Sequence, residues 1–171
     1  MGAFVALLRA VNLGGSTTLA MADLKAICES AGLAHVRTYI ASGNVVFVSR
    51  GPERQVRAAL EAGLKAHAGR AIGVAVRSSA EMAAIVADNP FPDAPGNRVA
   101  VIFLDEASTP AMLDGVSGRA ADEELSLGRR EIYVRYGAAG MGRSKLKIPA
   151  AKAGTARNMN TVAKLAAMAA A

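Results

Sequence analysis

The segment AFVALLR, residues 3–9, is an unbroken apolar run closed by an arginine. Apolar residues in a row, with no polar face, make a strand buried on both sides rather than an amphipathic helix. RVAVIFL at 98–104 is a second clear strand, and Ile72, Val74 and Val76 alternate within a third, AIGVAVR. No apolar run approaches the roughly 20 residues that a bilayer-crossing helix needs. The first residues carry no basic n-region, so a buried first strand is expected rather than a secretory leader.

Between these strands the spacing changes to that of helices. Met21, Leu24, Ile27, Cys28 and Ala31 recur on one helical face, and Gly32 is placed as the residue just past the helix end. HVRTYI and NVVFVS are two strands joined by the turn ASGN. Pro52 suits the first turn of the next helix, whose stripe is Val56, Leu60 and Leu64. AIGVAVR completes the order β-α-β-β-α-β, the ferredoxin-like split βαβ arrangement.

The second half opens on SSAEMAAIVADNP, where Ser78 and Glu81 form a capping box and Pro90 stops the helix. After RVAVIFL comes a short helix begun by Thr109 and Pro110, containing Met112 and Leu113. The hairpin EELSL–EIYVRY turns across GRR, and a final helix points Val162, Leu165 and Met168 inward. That order is β-α-β-β-α, the first pattern without its last strand. The expected class is α+β: two ferredoxin-like α/β sandwich halves, residues 1–77 and 78–171, packed together.

Composition excludes several functions. With 52% hydrophobic residues among 171, but only seven aromatics and no Trp, the core must be aliphatic and methionine-based. Cys28 is the only cysteine and occupies an apolar helical position. An internal disulfide is therefore excluded, and a reducing compartment, the cytoplasm, is expected. His35 and His67 add no metal-ligand constellation, so neither a metal nor a cofactor is expected. The acidic run at Asp122, Glu123 and Glu124 reads as a solvated entry to a strand.

Charge is more informative in its distribution than in its sum of +6. From Ile132 onward there is no Asp or Glu, while Arg135, Arg143, Lys145, Lys147, Lys152, Arg157 and Lys164 are all basic. The first 131 residues carry 13 basic and 14 acidic side chains, so the whole excess lies in the last quarter of the chain. Such an asymmetry points to a phosphate-bearing or polyanionic partner.

Several segments resemble one family. LLRAVNLGG followed by MADL is similar to its opening signature, RTYIASGNVVF to its second, NPF to its third and TARNMNTVAKL to its last. The family is the uncharacterised, mostly bacterial group known as domain of unknown function 1697. The resemblance implies a soluble α+β fold and brings no settled activity, cofactor or catalytic residue. It also implies a tryptophan between the two asparagines of the last signature, where this chain has Met159.

Three segments are candidate binding elements. GTARNMNTVAKL opens the last helix on Arg157, Asn158, Asn160 and Thr161. Thr155 or Asn158 caps that helix, and free amides with the helix dipole favour an anion there by ~0.3–1 kcal/mol. Arg157 adds a planar fork suited to phosphate or carboxylate. In RSKLKIP, Arg143, Lys145 and Lys147 alternate and share one face of an extended segment, although three charges make no dedicated nucleic-acid track. In RAVNLGGSTT, Arg9, Asn12, Gly14 and Gly15 suit a tight, amide-rich turn; the spacing and lysine of a P-loop are missing.

Three readings follow. The first is a binding module for an anionic, phosphate-bearing small molecule or nucleic acid, and the scarcity of aromatics disfavours base stacking. The second is an enzyme acting on a phosphorylated or carboxylated substrate, with Arg157 and Lys145 as electrostatic stabilisers. The third is a homodimer in which the edge of EIYVRY pairs with a second copy. No reading involves a membrane.

Overall fold

The computed structural model describes residues 1–9, 19–40 and 43–171, within which the chain divides into two units. Unit 1 comprises Met1–Ala83 with Leu165–Ala171, and unit 2 comprises Ala84–Lys164.

Unit 1 contains β1 (Gly2–Leu8), α1 (Met21–Ser30), β2 (Ala34–Tyr39), β3 (Asn44–Ser49), α2 (Glu53–Ala68) and β4 (Val74–Ser78). Its sheet runs β2-β3-β1-β4 with every neighbouring pair antiparallel. β1 and β2 therefore run parallel with β3 inserted between them, the split βαβ arrangement expected from the sequence. Val5, Ala6, Leu7 and Leu8 are all buried, as an unbroken apolar run requires. Ala6 and Leu8 join Val45, Phe47, Val74 and Val76 in a core closed by Leu24 and Cys28 of α1 and Leu60 and Leu64 of α2. Each fully buried aliphatic side chain stabilises by about 1.5–3 kcal/mol. α1 ends as predicted. Gly32 takes φ +85°, its amide bonds to the Glu29 carbonyl, and the Leu33 amide reaches back to Cys28.

α3 (Ser79–Ala87) follows, with the predicted capping box in place: the Ser78 amide donates to Glu81 Oε1 at 2.9 Å and the Glu81 amide to Ser78 Oγ at 3.1 Å. α3 begins in unit 1 and ends in unit 2, where the Tyr133 hydroxyl donates to the Ile85 carbonyl at 2.8 Å.

Unit 2 contains β5 (Val99–Phe103), β6 (Glu124–Leu127), β7 (Glu131–Arg135) and β8 (Thr155–Asn158), followed by α4 (Met159–Ala170). The order is β6-β7-β5-β8, again antiparallel throughout. This is the strand order of unit 1. The repeat is thus partial in its helices, not in its strands: Thr155–Asn158, expected to open the last helix, is the fourth strand, paired with β5. Short 3-10 turns at Pro110–Leu113 and Pro149–Ala153 stand where unit 1 has helices. The physical reason is local. Pro110, Gly115 and Gly118 punctuate a segment with too few apolar residues for a helical stripe. The core of unit 2 is Ala100, Ile102, Leu104, Ile132 and Val134, backed by Met112, Leu113, Leu146 and Ile148.

The expected pairing edge at EIYVRY is corrected by this topology. β7 is bonded to β6 on one side and β5 on the other, so the edges of its sheet are β6 and β8. α4 leaves unit 2 and ends in unit 1, where the Arg37 guanidinium donates to the Met168 carbonyl at 2.7 Å and Ser79 Oγ to the Ala169 carbonyl at 3.2 Å. Among the described residues no helix is long and apolar enough to cross a membrane.

Candidate functional site

The start of α4 is the first place to look, because four candidate residues meet there. Asn158 caps the helix, its Oδ1 accepting the Thr161 amide at 2.9 Å. Thr161 is buried, and exposed Asn160 packs against Gly96, where its Oδ1 occupies the space a Cβ would need. Met159 is buried, so at this position it packs as a core side chain. Arg157 precedes the helix, on β8. Its guanidinium is only 9% exposed and donates to Thr155 Oγ1 at 2.7 Å and to the Ala156 carbonyl at 2.9 Å. Burial pulls this guanidinium down to about 10, which still leaves it charged at neutral pH.

Arg157 has a counterpart in unit 1. On β4, Arg77 sits opposite Val5 of β1 just as Arg157 sits opposite Val101 of β5. Arg77 is 1% exposed and donates to the preceding carbonyl, of Val76, at 3.0 Å. Each arginine is followed at once by a helix cap, Ser78 in one unit and Asn158 in the other. A buried arginine and a capping residue at the end of a fourth strand is therefore a feature the two units share.

The other candidates separate. Arg9 belongs to unit 1, where its amide donates to the Gly73 carbonyl at 2.9 Å and its aliphatic stem covers Gly73. Asn12, Gly14 and Gly15, with Ser42 of the ASGN turn, lie outside the described residues. Lys145 belongs to unit 2 and is exposed, as are Arg143 and Lys147, while Ser144 and Leu146 between them, and Ile148 after them, are half-buried. The alternation expected of RSKLKIP holds for the extended part, with Leu146 and Ile148 packed on the core and Lys145 and Lys147 outward, whereas Arg143 ends a 3-10 turn, Met141–Arg143, rather than continuing the extended segment.

The acidic run at 122–124 enters a strand as expected, with Asp122 and Glu124 exposed, but Glu123 between them is buried. Glu123 is 3% exposed, and its two oxygens accept from the Ala120 amide at 2.8 Å and from Ser144 Oγ at 2.5 Å. Asp122 accepts from the Ala138 amide at 3.1 Å, and Glu124 pairs with Arg135 at 2.6 Å. Asp122 and Glu123 tie loops together, while Glu124 and Arg135 form a cross-strand pair between β6 and β7. Among the described residues no three His, Cys, Asp or Glu side chains are grouped to hold a metal.

Among the described residues, cavities are formed within each unit. In unit 1, one of about 510 Å³ runs past Leu33, Val48, Arg50 and Val56, and one of about 350 Å³ lies between α1 and α2 beside Ile27, Gly63 and His67. His67 Nε2 stands 3.9 Å from Asp23 Oδ2 there. In unit 2, a cavity of about 450 Å³ is lined by Leu113, Val116, Ser117, Gly118, Arg119 and Leu125. Ser117 exchanges backbone bonds with Lys147, at 3.1 and 2.8 Å, so the basic segment flanks the cavity wall. Of this unit 2 lining only Leu113 stands out in the sequence, as part of the short helix after Pro110, and the local signal for the loop is the glycine pair at 115 and 118.

The fold has a solved counterpart. The conserved bacterial protein SP0830 from Streptococcus pneumoniae is 23% identical, with 98% of each chain covered and a TM-score of 0.81. At that identity the likeness concerns the fold. No curated protein matches the sequence. The model of the family described as a protein of unknown function, DUF1697, matches residues 1–133, a span that holds the first three signature segments and stops short of the last. With well over half its length matched, the chain belongs to the DUF1697 family.

Proposed function

We propose that this protein is a binding module for a phosphate-bearing anion, which it meets through the basic segment of unit 2. The observation that carries this reading is the placement of Arg143, Lys145 and Lys147. All three are exposed on a segment whose alternate residues are held inward, within a stretch that has no carboxylate after Glu131. A row of cations on a fixed backbone lowers the cost of ordering long side chains around a polyvalent anion. The start of α4 contributes less, because Arg157 is buried and the Asn158 oxygen is occupied by the Thr161 amide.

The test is a thermal-shift and calorimetric series with inorganic phosphate, polyphosphate, nucleotides and short oligonucleotides. A ligand at about 100 times its dissociation constant should stabilise by about 2.7 kcal/mol. For an oligonucleotide engaging all three cations, log affinity should fall with log salt at a slope near −2.7, reduced by about 1.8 in K145Q/K147Q. The reading fails if none of the anions stabilises the protein, or if the double variant binds them as well as the parent.

A further inference from the structure

The cavity of unit 2 has a wall held in one shape. The loop from Asp114 to Arg119 is fixed at four points. Gly115, at φ +75°, leaves room for Pro149, whose Cγ lies 3.3 Å from where a Cβ would stand. Ser117 and Lys147 form the two-bond bridge already described. Gly118, at φ +72°, accommodates the Lys145 carbonyl in the space of its missing side chain. The Arg119 guanidinium donates to the Glu123 carbonyl at 2.9 Å, and one residue on, the Ala120 amide is held by Glu123 Oε1. Both glycines are in the left-handed region and closely approached by neighbours, so a side chain at either would strain this wall.

The lining is split by chemistry. Leu113, Val116 and Leu125 supply an apolar floor, and Leu113 and Leu125 also touch the core of the unit. Ser117 and Arg119 are exposed at the other side, and the bond to Glu123 uses one of the five donors of the Arg119 fork. Directly opposed residues of an antiparallel bridge project to the same face, so Lys147 shares the face of Ser117, and Lys145 follows two residues away. An open cleft of about 450 Å³ that combines apolar side chains with the Arg119 guanidinium, and has Lys145 and Lys147 on the neighbouring segment, suits an anion with an apolar body.

From this geometry we infer that the unit 2 cavity is a binding site for a small amphipathic anion, an aryl or short-acyl phosphate whose apolar body lies on Leu113, Val116 and Leu125 and whose phosphate meets Arg119, Lys145 and Lys147. The inference rests on the anion-binding reading and adds to it the cavity and the apolar half of the ligand. The experiment compares phenyl phosphate with inorganic phosphate by calorimetry on the whole chain. Phenyl phosphate should bind at least about tenfold more tightly, since burying a ring contributes more than one factor of ten.

Two variants at exposed positions separate the outcomes. Ser117→Trp places a large side chain in the cavity lining and should abolish the advantage of phenyl phosphate over inorganic phosphate. Arg119→Gln should weaken phenyl phosphate about tenfold. Circular dichroism and the melting temperature verify that both variants fold. If phenyl phosphate binds no better than phosphate, or S117W binds it as the parent does, the cavity is not the site, and the wider reading survives through the lysines alone. If neither anion binds the parent protein, both fall together.

Discussion

Arg157 illustrates how a side chain that draws attention in a sequence can be used by the fold. A guanidinium beside two asparagines suggests an anion site, yet here it lies under the surface of unit 2, bonded to Thr155 and Ala156. Arg77 occupies the same register in unit 1 with the same bond to its neighbouring carbonyl. A position filled alike in both halves is explained by what the halves share, which is the junction of fourth strand and helix. Cys28 makes a sharper prediction at this scale. Burial, with a smaller contribution from Glu29, raises its thiol from 9.0 to about 12. In the unfolded chain the thiol gives up its proton from about pH 9, while the folded protein retains it, so the unfolded state binds fewer protons and stability falls as pH rises. Urea midpoints at pH 8, 9 and 10 should show a decline approaching about 1.4 kcal/mol per pH unit, and Cys28→Ala should flatten it. An unchanged slope in that variant would assign the decline elsewhere. The folded thiol should also resist thiol reagents at pH 8.

At the scale of elements, β8 separates what the sequence reveals from what it conceals. β1, β3 and β5 are legible because runs of Val, Phe and Leu have one stable use in a small domain, the middle of a sheet. α1 and α2 are legible because stripe, cap and closing glycine agree. Thr155–Asn158 carries the opposite signal: its buried residues are Thr155 and Arg157, and its exposed residue is Ala156. Hydrophobic alternation cannot report a strand that turns its polar side inward. The helix-cap chemistry of Asn158 then draws the helix boundary too far back. Ala156→Val distinguishes the two structures. On a strand the β-branched residue should stabilise by about 0.5 kcal/mol, whereas in a helical first turn it would destabilise by a similar amount. Chemical denaturation reads the sign directly. The cavity of unit 2 was concealed for a related reason. Its floor is made of residues that also serve the core, and its wall is shaped by turns whose pairing with residues 145–147 depends on contacts distant in sequence.

For the whole molecule, the strand order β2-β3-β1-β4 recurs as β6-β7-β5-β8, and the helices that follow the two fourth strands leave the units they start in. The last seven residues, Leu165–Ala171, belong to unit 1, where Leu165 and Ala169 are buried and the carbonyls of Met168 and Ala169 receive Arg37 and Ser79. Deleting residues 165–171 should destabilise the protein by at least about 3 kcal/mol, from the loss of Leu165 and its neighbours out of the core. Hydrogen exchange should localise the damage, with β2 and β4 losing protection before β6 and β7; equal loss in both sheets would show that the segment is shared rather than proper to unit 1. This membership has a further consequence for the order of events in the cell. A ribosome that has delivered the first 83 residues has not yet delivered the last seven residues of the same unit. The earliest part of the nascent chain gains the last segment of its own unit only after translation has passed through everything in between.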